Sequence, residues 1–230
     1  LPEFGEGILR DEIRKEIVAR RIERGVAVRD RIRELYYQRN HPFVYWWHYM
    51  WTNHPVWSWW RITAPYRWCN WNSCCSYYGW TGSYAQPVYY EYTDQGVYAD
   101  GREVVTNEQY TQQALELARS GAKKLQKAID EKRTDKLEWL PLGVFSLNDN
   151  EAGDPTMFLQ VAVSREAIVA GTYFNAQTNE YLQLVGGLDK ETQRVAMTIG
   201  DKDDVVIETG MYNLTETESS ALLHFEGGTI

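Results

Sequence analysis

The sequence predicts an α+β protein. It should have two long helices, an irregular aromatic-rich segment between them, and a C-terminal antiparallel β meander that forms a small barrel or sandwich. Three observations predict it. Apolar residues recur at helical spacing over 8–36 and again over 106–132. Nine of the ten Trp fall between Trp46 and Trp80, in a stretch rich in Pro and Gly that keeps no period. From Trp139 onward, apolar and polar residues alternate with period two. The chain therefore divides into an amphipathic Arg/Glu-rich helix (1–40), a Trp/Tyr-rich irregular segment with short strands (41–105), a capped helix (106–136) and an antiparallel β domain (137–230).

In the first element, Leu9, Ile13 and Ile17, then Ile22 and Val26, form a stripe that Ile32, Leu35 and Tyr36 extend. Alternating Arg and Glu supply i,i+4 pairs on its outer face. Asn40-His41-Pro42 ends it. The aromatic segment follows, with short extended pieces expected around Pro87–Tyr92 and Val97–Val105. Between the halves of the latter, Asp100-Gly101 is a two-residue hairpin signal. Thr106 to Gln109 reads as a capping box. The helix it opens should run to about Lys132, burying Tyr110, Ala114, Leu117, Gly121, Leu125 and Ile129. Seven strands are then expected: Gly143–Leu147, Met157–Val163, Ile168–Asn175, Glu180–Val185, Arg194–Ile199, Val205–Tyr212 and Ala221–Phe225. With no helix between them, they should pair as an antiparallel meander; Met157, Leu159, Val161 and Val163 alternate with Phe158, Gln160 and Ala162, the pattern of one buried face.

Charge is uneven along the chain. Residues 1–40 carry ten basic and eight acidic side chains, whereas 137–230 carry four and 15, a net of −11 within an overall −8. The acidic C-terminal part argues against a nucleic-acid partner, because phosphate contacts need Lys and Arg. No run of about 18 apolar residues exists, so no membrane-spanning helix is expected. Because the chain begins at Leu1, it is expected to be a processed form or a fragment.

A few residues could carry chemistry. His41, His48 and His54 lie near Cys69, Cys74 and Cys75, but their spacing matches no zinc pattern, so no metal is expected. Cys69 could close a short loop with Cys74 or Cys75, leaving one thiol to pair between chains; an extracytoplasmic setting favours such bonds. Asp201, Asp203 and Asp204 share one turn, without the twelve-residue calcium-loop pattern. No catalytic constellation assembles, and no cofactor is expected. The nine clustered Trp (Trp46, Trp47, Trp51, Trp57, Trp59, Trp60, Trp68, Trp71 and Trp80) are the candidate interface, since Trp and Tyr concentrate where proteins anchor one another. Stacking on sugar rings is the competing use.

The stretches Trp139–Phe145, Phe158–Ala162, Gly171-Thr172, Gln193–Ala196, Ile199–Asp201, Glu208–Thr215 and Leu223–Phe225 resemble the C-terminal module of large planctomycete secreted proteins labelled mu-protocadherin-like cell-surface protein. Those proteins also carry a Trp/Tyr/Asn-rich stretch and a segment like Pro87–Tyr90. The likeness covers about residues 43–230; the Arg-rich N-terminal helix is not part of it. It implies export, a secreted or cell-surface location and no enzyme activity. The final hydrophobic strand usual in the family is absent, so an open sheet edge is expected. The expected function is therefore a non-enzymatic structural subunit that self-assembles into a cell-envelope fibre, filament or surface layer. Its partner would be itself, as a homo-oligomer. The alternatives are a module that binds polysaccharide or peptidoglycan, and an accessory subunit of a larger extracytoplasmic complex.

Overall fold

The computed structural model describes residues 69–93, 96–104, 108–147, 156–216, 219–225 and 228–229. The predicted helix 8–36 and seven of the nine clustered Trp lie outside these residues.

Period-two alternation from Trp139 onward becomes one antiparallel sheet. Its strands are β4 (Trp139–Leu147), β5 (Met157–Ser164), β6 (Ile168–Asn175), β7 (Glu180–Leu188), β8 (Arg194–Ile199), β9 (Lys202–Gly210), β10 (Leu222–Phe225) and β11 (Gly228–Thr229). Each strand pairs with its neighbour in sequence, so the eight form a pure meander. Register is continuous over long stretches, as from Met157↔Asn175 to Val163↔Val169. It slips only at a bulge between Pro141 and Gly143 and near Thr198–Ile199. Pro141 is tolerable because β4 is an edge strand, where a missing N–H disrupts least. The order runs linearly from β11 to β4 and does not close. The observed shape is a half-barrel, with the open edge that the sequence led one to expect.

Turn chemistry joins the strands. Asn175 Oδ1 accepts from the backbone N–H groups of Gln177 and Thr178 at 2.9 and 3.3 Å, and Asp189 Oδ1 does the same for Glu191 at 2.9 Å. These Asx turns help to reverse the chain.

The sequence pattern suggested one buried face, but both faces are buried. On one side, Leu159, Val161, Val163, Val169, Leu184, Val195, Met197 and Ile207 form the main core. Over it packs a short helix, α1 (Trp71–Tyr78). On the other side lies α2 (Glu108–Asp130), across β7, β8 and β9. Its Ala114, Leu115 and Ala118 meet Ala196 and Val206. Beyond the helix, Phe158, Phe174 and Tyr181 stack across β5, β6 and β7, with centroids 6.4 and 4.5 Å apart.

The contact of α2 with β7 is backbone to backbone. A Cβ added at Gly121 would lie 1.7 Å from the Gly186 carbonyl oxygen, and one at Gly187 would lie 2.6 Å from the Leu117 carbonyl oxygen. Three glycines thus set the depth of the helix. The buried stripe of α2 runs through Tyr110, Ala114, Ala118, Gly121, Leu125 and Ala128. Tyr110 and Ala128 are five full turns apart at 3.6 residues per turn. Ile129 falls one step off that stripe and is exposed, contrary to expectation.

A second, three-stranded sheet comprises β1 (Tyr90–Thr93), β2 (Gly96–Ala99) and β3 (Arg102–Val104). The predicted hairpin turn is present: Asp100 and Gly101 both take positive φ, at 51° and 73°. That is the conformation a two-residue type I′ turn requires. Tyr90 and Val97 of this sheet pack on Tyr110 of α2. The capping box proposed at Thr106 lies outside the described residues.

Candidate functional site

The described part of the aromatic segment is a collar fastened to the sheet. Asn70 caps α1 by accepting from the Ser73 N–H at 2.9 Å, and Gly79 ends it in the left-handed region, satisfying groups a helix leaves unpaired. Tyr78 and Trp80 stack with centroids 4.9 Å apart, and Trp71 packs 5.4 Å from Trp80 and edge-on to Tyr212 at 5.5 Å. Trp71 Nε1 donates to the Ala85 carbonyl at 2.8 Å. Tyr77 and Tyr78 hydroxyls donate to the carbonyls of Glu138 and Ser164 at 2.6 and 2.8 Å, at the edge where β4 begins and β5 ends. Burial pushes both phenols upward in pKa. Arg165 and Lys190 lie over the two rings, 4.7 and 4.9 Å from their centroids, within cation–π range.

Two amide side chains complete the attachment. Gln193 is buried with φ 61°. Its Oε1 accepts from the Val88 N–H at 2.8 Å, and its Nε2 donates to the Gln86 carbonyl at 2.8 Å. Asn213 treats Tyr90 as a strand would: Oδ1 accepts from its N–H at 3.0 Å, and Nδ2 donates to its carbonyl at 2.6 Å.

A buried charge network lies on the α2 side of the sheet. Glu208 on β9 receives Arg194 Nε at 2.7 Å and Nη2 at 3.1 Å, a two-pronged ion pair. His224 Nε2 on β10 sits 2.7 Å from the second carboxylate oxygen, and its Nδ1 sits 3.1 Å from the Thr111 hydroxyl. Arg194 also donates to Gln113 Oε1 at 2.8 Å and covers the Tyr110 ring at 3.8 Å. Glu208 and His224 are fully buried. Burial would raise the Glu208 pKa, but hydrogen bonds from His224 and Arg194 outweigh it, so the carboxyl sits below its ordinary value. Thr111, His224 and Glu208 align hydroxyl, imidazole and carboxylate, but Arg194 occupies the carboxylate and the imidazole is fully buried. The arrangement ties the first turn of α2 to three strands. It was not anticipated, because residues 14 and 16 positions apart meet only through strand register.

Other expectations fall as follows. Trp80 is buried and Trp71 half-buried, both in the chain's own core. Trp46, Trp47, Trp51, Trp57, Trp59, Trp60 and Trp68 lie outside the described residues, as do His41, His48 and His54. Cys69 and Cys74 are buried as free thiols, with sulfurs 3.1 Å apart. Cys75 is half-buried, its Sγ 4.0 Å from the Ala85 carbonyl. Asp201 is exposed; the side chains of Asp203 and Asp204 are not described. Among the described residues no three His, Cys, Asp or Glu side chains gather as metal ligands, and no helix is long and apolar enough to cross a membrane. Tyr84 and Ile129 are the large apolar side chains most exposed there. A shallow cavity of about 270 Å³ lies between α2 and the β7–β8 end, lined by Leu125, Ile129, Gln183 and Thr198 among others.

Among the described residues, some buried polar groups of the sheet lack a hydrogen-bond partner. The Gln160 amide and the Thr172 hydroxyl, a cross-strand pair of β5 and β6, make no hydrogen bond. Compared with known proteins, the chain matches no family model, no curated protein and no solved structure.

Proposed function

We propose that the protein is a non-enzymatic, extracytoplasmic structural subunit that assembles with copies of itself into a cell-envelope fibre, filament or surface layer. The observation that carries this reading is the open edge of the large sheet. Strand β4 is nine residues long, and among the described residues it pairs only on its β5 side. An unpaired strand edge is a template for another strand. Its last three residues, Phe145 to Leu147, are only half-buried, so that end remains accessible. The aromatic collar supports the edge at its other end, through Tyr77 on the Glu138 carbonyl. Head-to-tail strand addition at such an edge gives an open chain of subunits. The enclosure of Glu208 and His224, and the several hydrogen bonds that hold Arg194, support a structural rather than a catalytic use of this charged network.

The test is particle size. The 230-residue protein should form assemblies in mass photometry, and Ser146→Lys, which places a charge on the accessible end of β4, should return them to monomers. A wild-type protein that stays monomeric, or a Ser146→Lys variant that assembles as before, would contradict the proposal.

A further inference from the structure

We propose that Cys69 and Cys74 are joined by a disulfide in the oxidised protein, leaving Cys75 as a free thiol. The inference does not depend on assembly, since a monomer would carry the same bond. It settles a choice that the sequence leaves open.

The argument starts from the cap of α1. Asn70 holds the N-cap position, with its side chain on the Ser73 N–H. Cys69 therefore immediately precedes the cap, and Cys74 is the fourth helical residue. Those two positions meet across a helix N-terminus, where a pair of apolar side chains commonly forms a staple that sets the entry angle of the chain. Here both members of the staple are cysteines. Their sulfurs lie 3.1 Å apart, and both residues are buried, at 2% and 0% exposure. Closing to a bond length of about 2.0 Å needs an approach of only about 1 Å. Cys75 lies one residue further, about 100° around the helix. Its sulfur points away toward the Ala85 carbonyl. Helix geometry thus selects Cys74 over its neighbour.

The chemistry balances with an external disulfide oxidant. A Cys69 thiolate attacks one sulfur of the oxidant, forming a mixed disulfide and releasing one thiolate. Cys74 then attacks the Cys69 sulfur, closing the ring and releasing the second thiolate. Two protein thiols are oxidised, one oxidant disulfide is reduced to two thiols, and two protons pass from Cys69 and Cys74 to the departing sulfurs. Cys69 beside it and burial together hold the Cys74 thiol protonated in the folded collar. The exchange therefore belongs to the stage of folding before the two sulfurs are buried. Once formed, the bond clamps the chain entering at Cys69 to the helix that carries Trp71, Tyr77 and Tyr78.

The experiment is disulfide mapping on the full chain. Denatured, reduced protein is refolded in a mixture of reduced and oxidised glutathione. Remaining thiols are then alkylated under denaturing conditions without reductant. Chymotrypsin, cutting after Trp71, separates Cys69 from the Cys74-Cys75 peptide unless a disulfide joins them. The expected result is one alkylated cysteine, Cys75, and a joined peptide pair whose fragmentation assigns Cys74. The Cys75→Ser variant should give the same link, and Cys74→Ser should leave Cys69 alkylated. Three alkylated cysteines, a Cys69–Cys75 link, a bond between chains, or efficient substitution of Cys75 for Cys74 in the Cys74→Ser variant would each overturn the proposal.

Discussion

Glu208 shows how a single residue can organise three strands and a helix. Its carboxylate is out of water and shares its hydrogen bonds between Arg194 and His224. A buried pair adds little when intact but costs heavily when one partner is lost. Glu208→Gln is therefore expected to destabilise the protein by about 3–5 kcal/mol in urea denaturation, because it leaves Arg194 unpaired. Replacing both Arg194 and Glu208 by apolar residues should cost less than the single change. The pH dependence has a fixed sign. The native carboxyl sits below its ordinary value, so the unfolded chain binds more protons in acid. The contribution is complete above the unfolded glutamate value of about 4.3 and disappears as pH falls through the native value. Wild type should lose stability over that acid range, and the gap between it and Glu208→Gln should narrow. Gln160 behaves in the opposite way. Its amide is buried and unpartnered, which costs about 1–3 kcal/mol. Gln160→Met, close in volume, should raise stability by roughly 1–2 kcal/mol; a loss of that size would show that the amide has a partner in solution. Neither residue was legible as special in the sequence. Glu208 and His224 meet through register, and Gln160 reads as an ordinary polar residue in an alternating strand.

Elements were read best where their own periodicity is strong. Strands β5, β6 and β8 match the alternation almost to the residue, because their apolar residues line a continuous core. The Asp100-Gly101 hairpin was legible because few dipeptides fit two positive φ angles. The helix from Glu108 was legible from its stripe, though Ile129 was misplaced by a drift that five turns accumulate. Helix α1 was not legible at all. Its eight residues show no apolar period, and its stability comes from the Asn70 and Gly79 caps and from docking of Trp71 and Tyr78 on distant strands. At this scale Gly121 gives the sharpest test. Alanine is better than glycine in a helix interior by about 1 kcal/mol. Here its methyl would strike the Gly186 carbonyl. Gly121→Ala is expected to destabilise the fold by about 1–3 kcal/mol, the range for overpacking, measured by chemical denaturation. A stabilised variant would mean that α2 does not sit on β7 as described.

At the largest scale, the described residues form a meander curled into a half-barrel, with a helix on one side and an aromatic collar on the other. The meander was legible because no helical pattern interrupts the strands. That it would stay open was legible only as an expectation drawn from family likeness, since closure depends on twist and stagger that no local pattern encodes. The collar explains part of the Trp and Tyr enrichment within one chain: Trp71, Tyr78 and Trp80 pack against the chain's own core. The assembly proposal therefore rests chiefly on β4 and its accessible end rather than on these aromatics. The size of the native particle tests it most directly. Mass photometry of the full chain should give a ladder of multiples of the 26.8 kDa subunit, which Ser146→Lys collapses to the first rung. A single monomeric peak for the wild-type protein would contradict self-assembly.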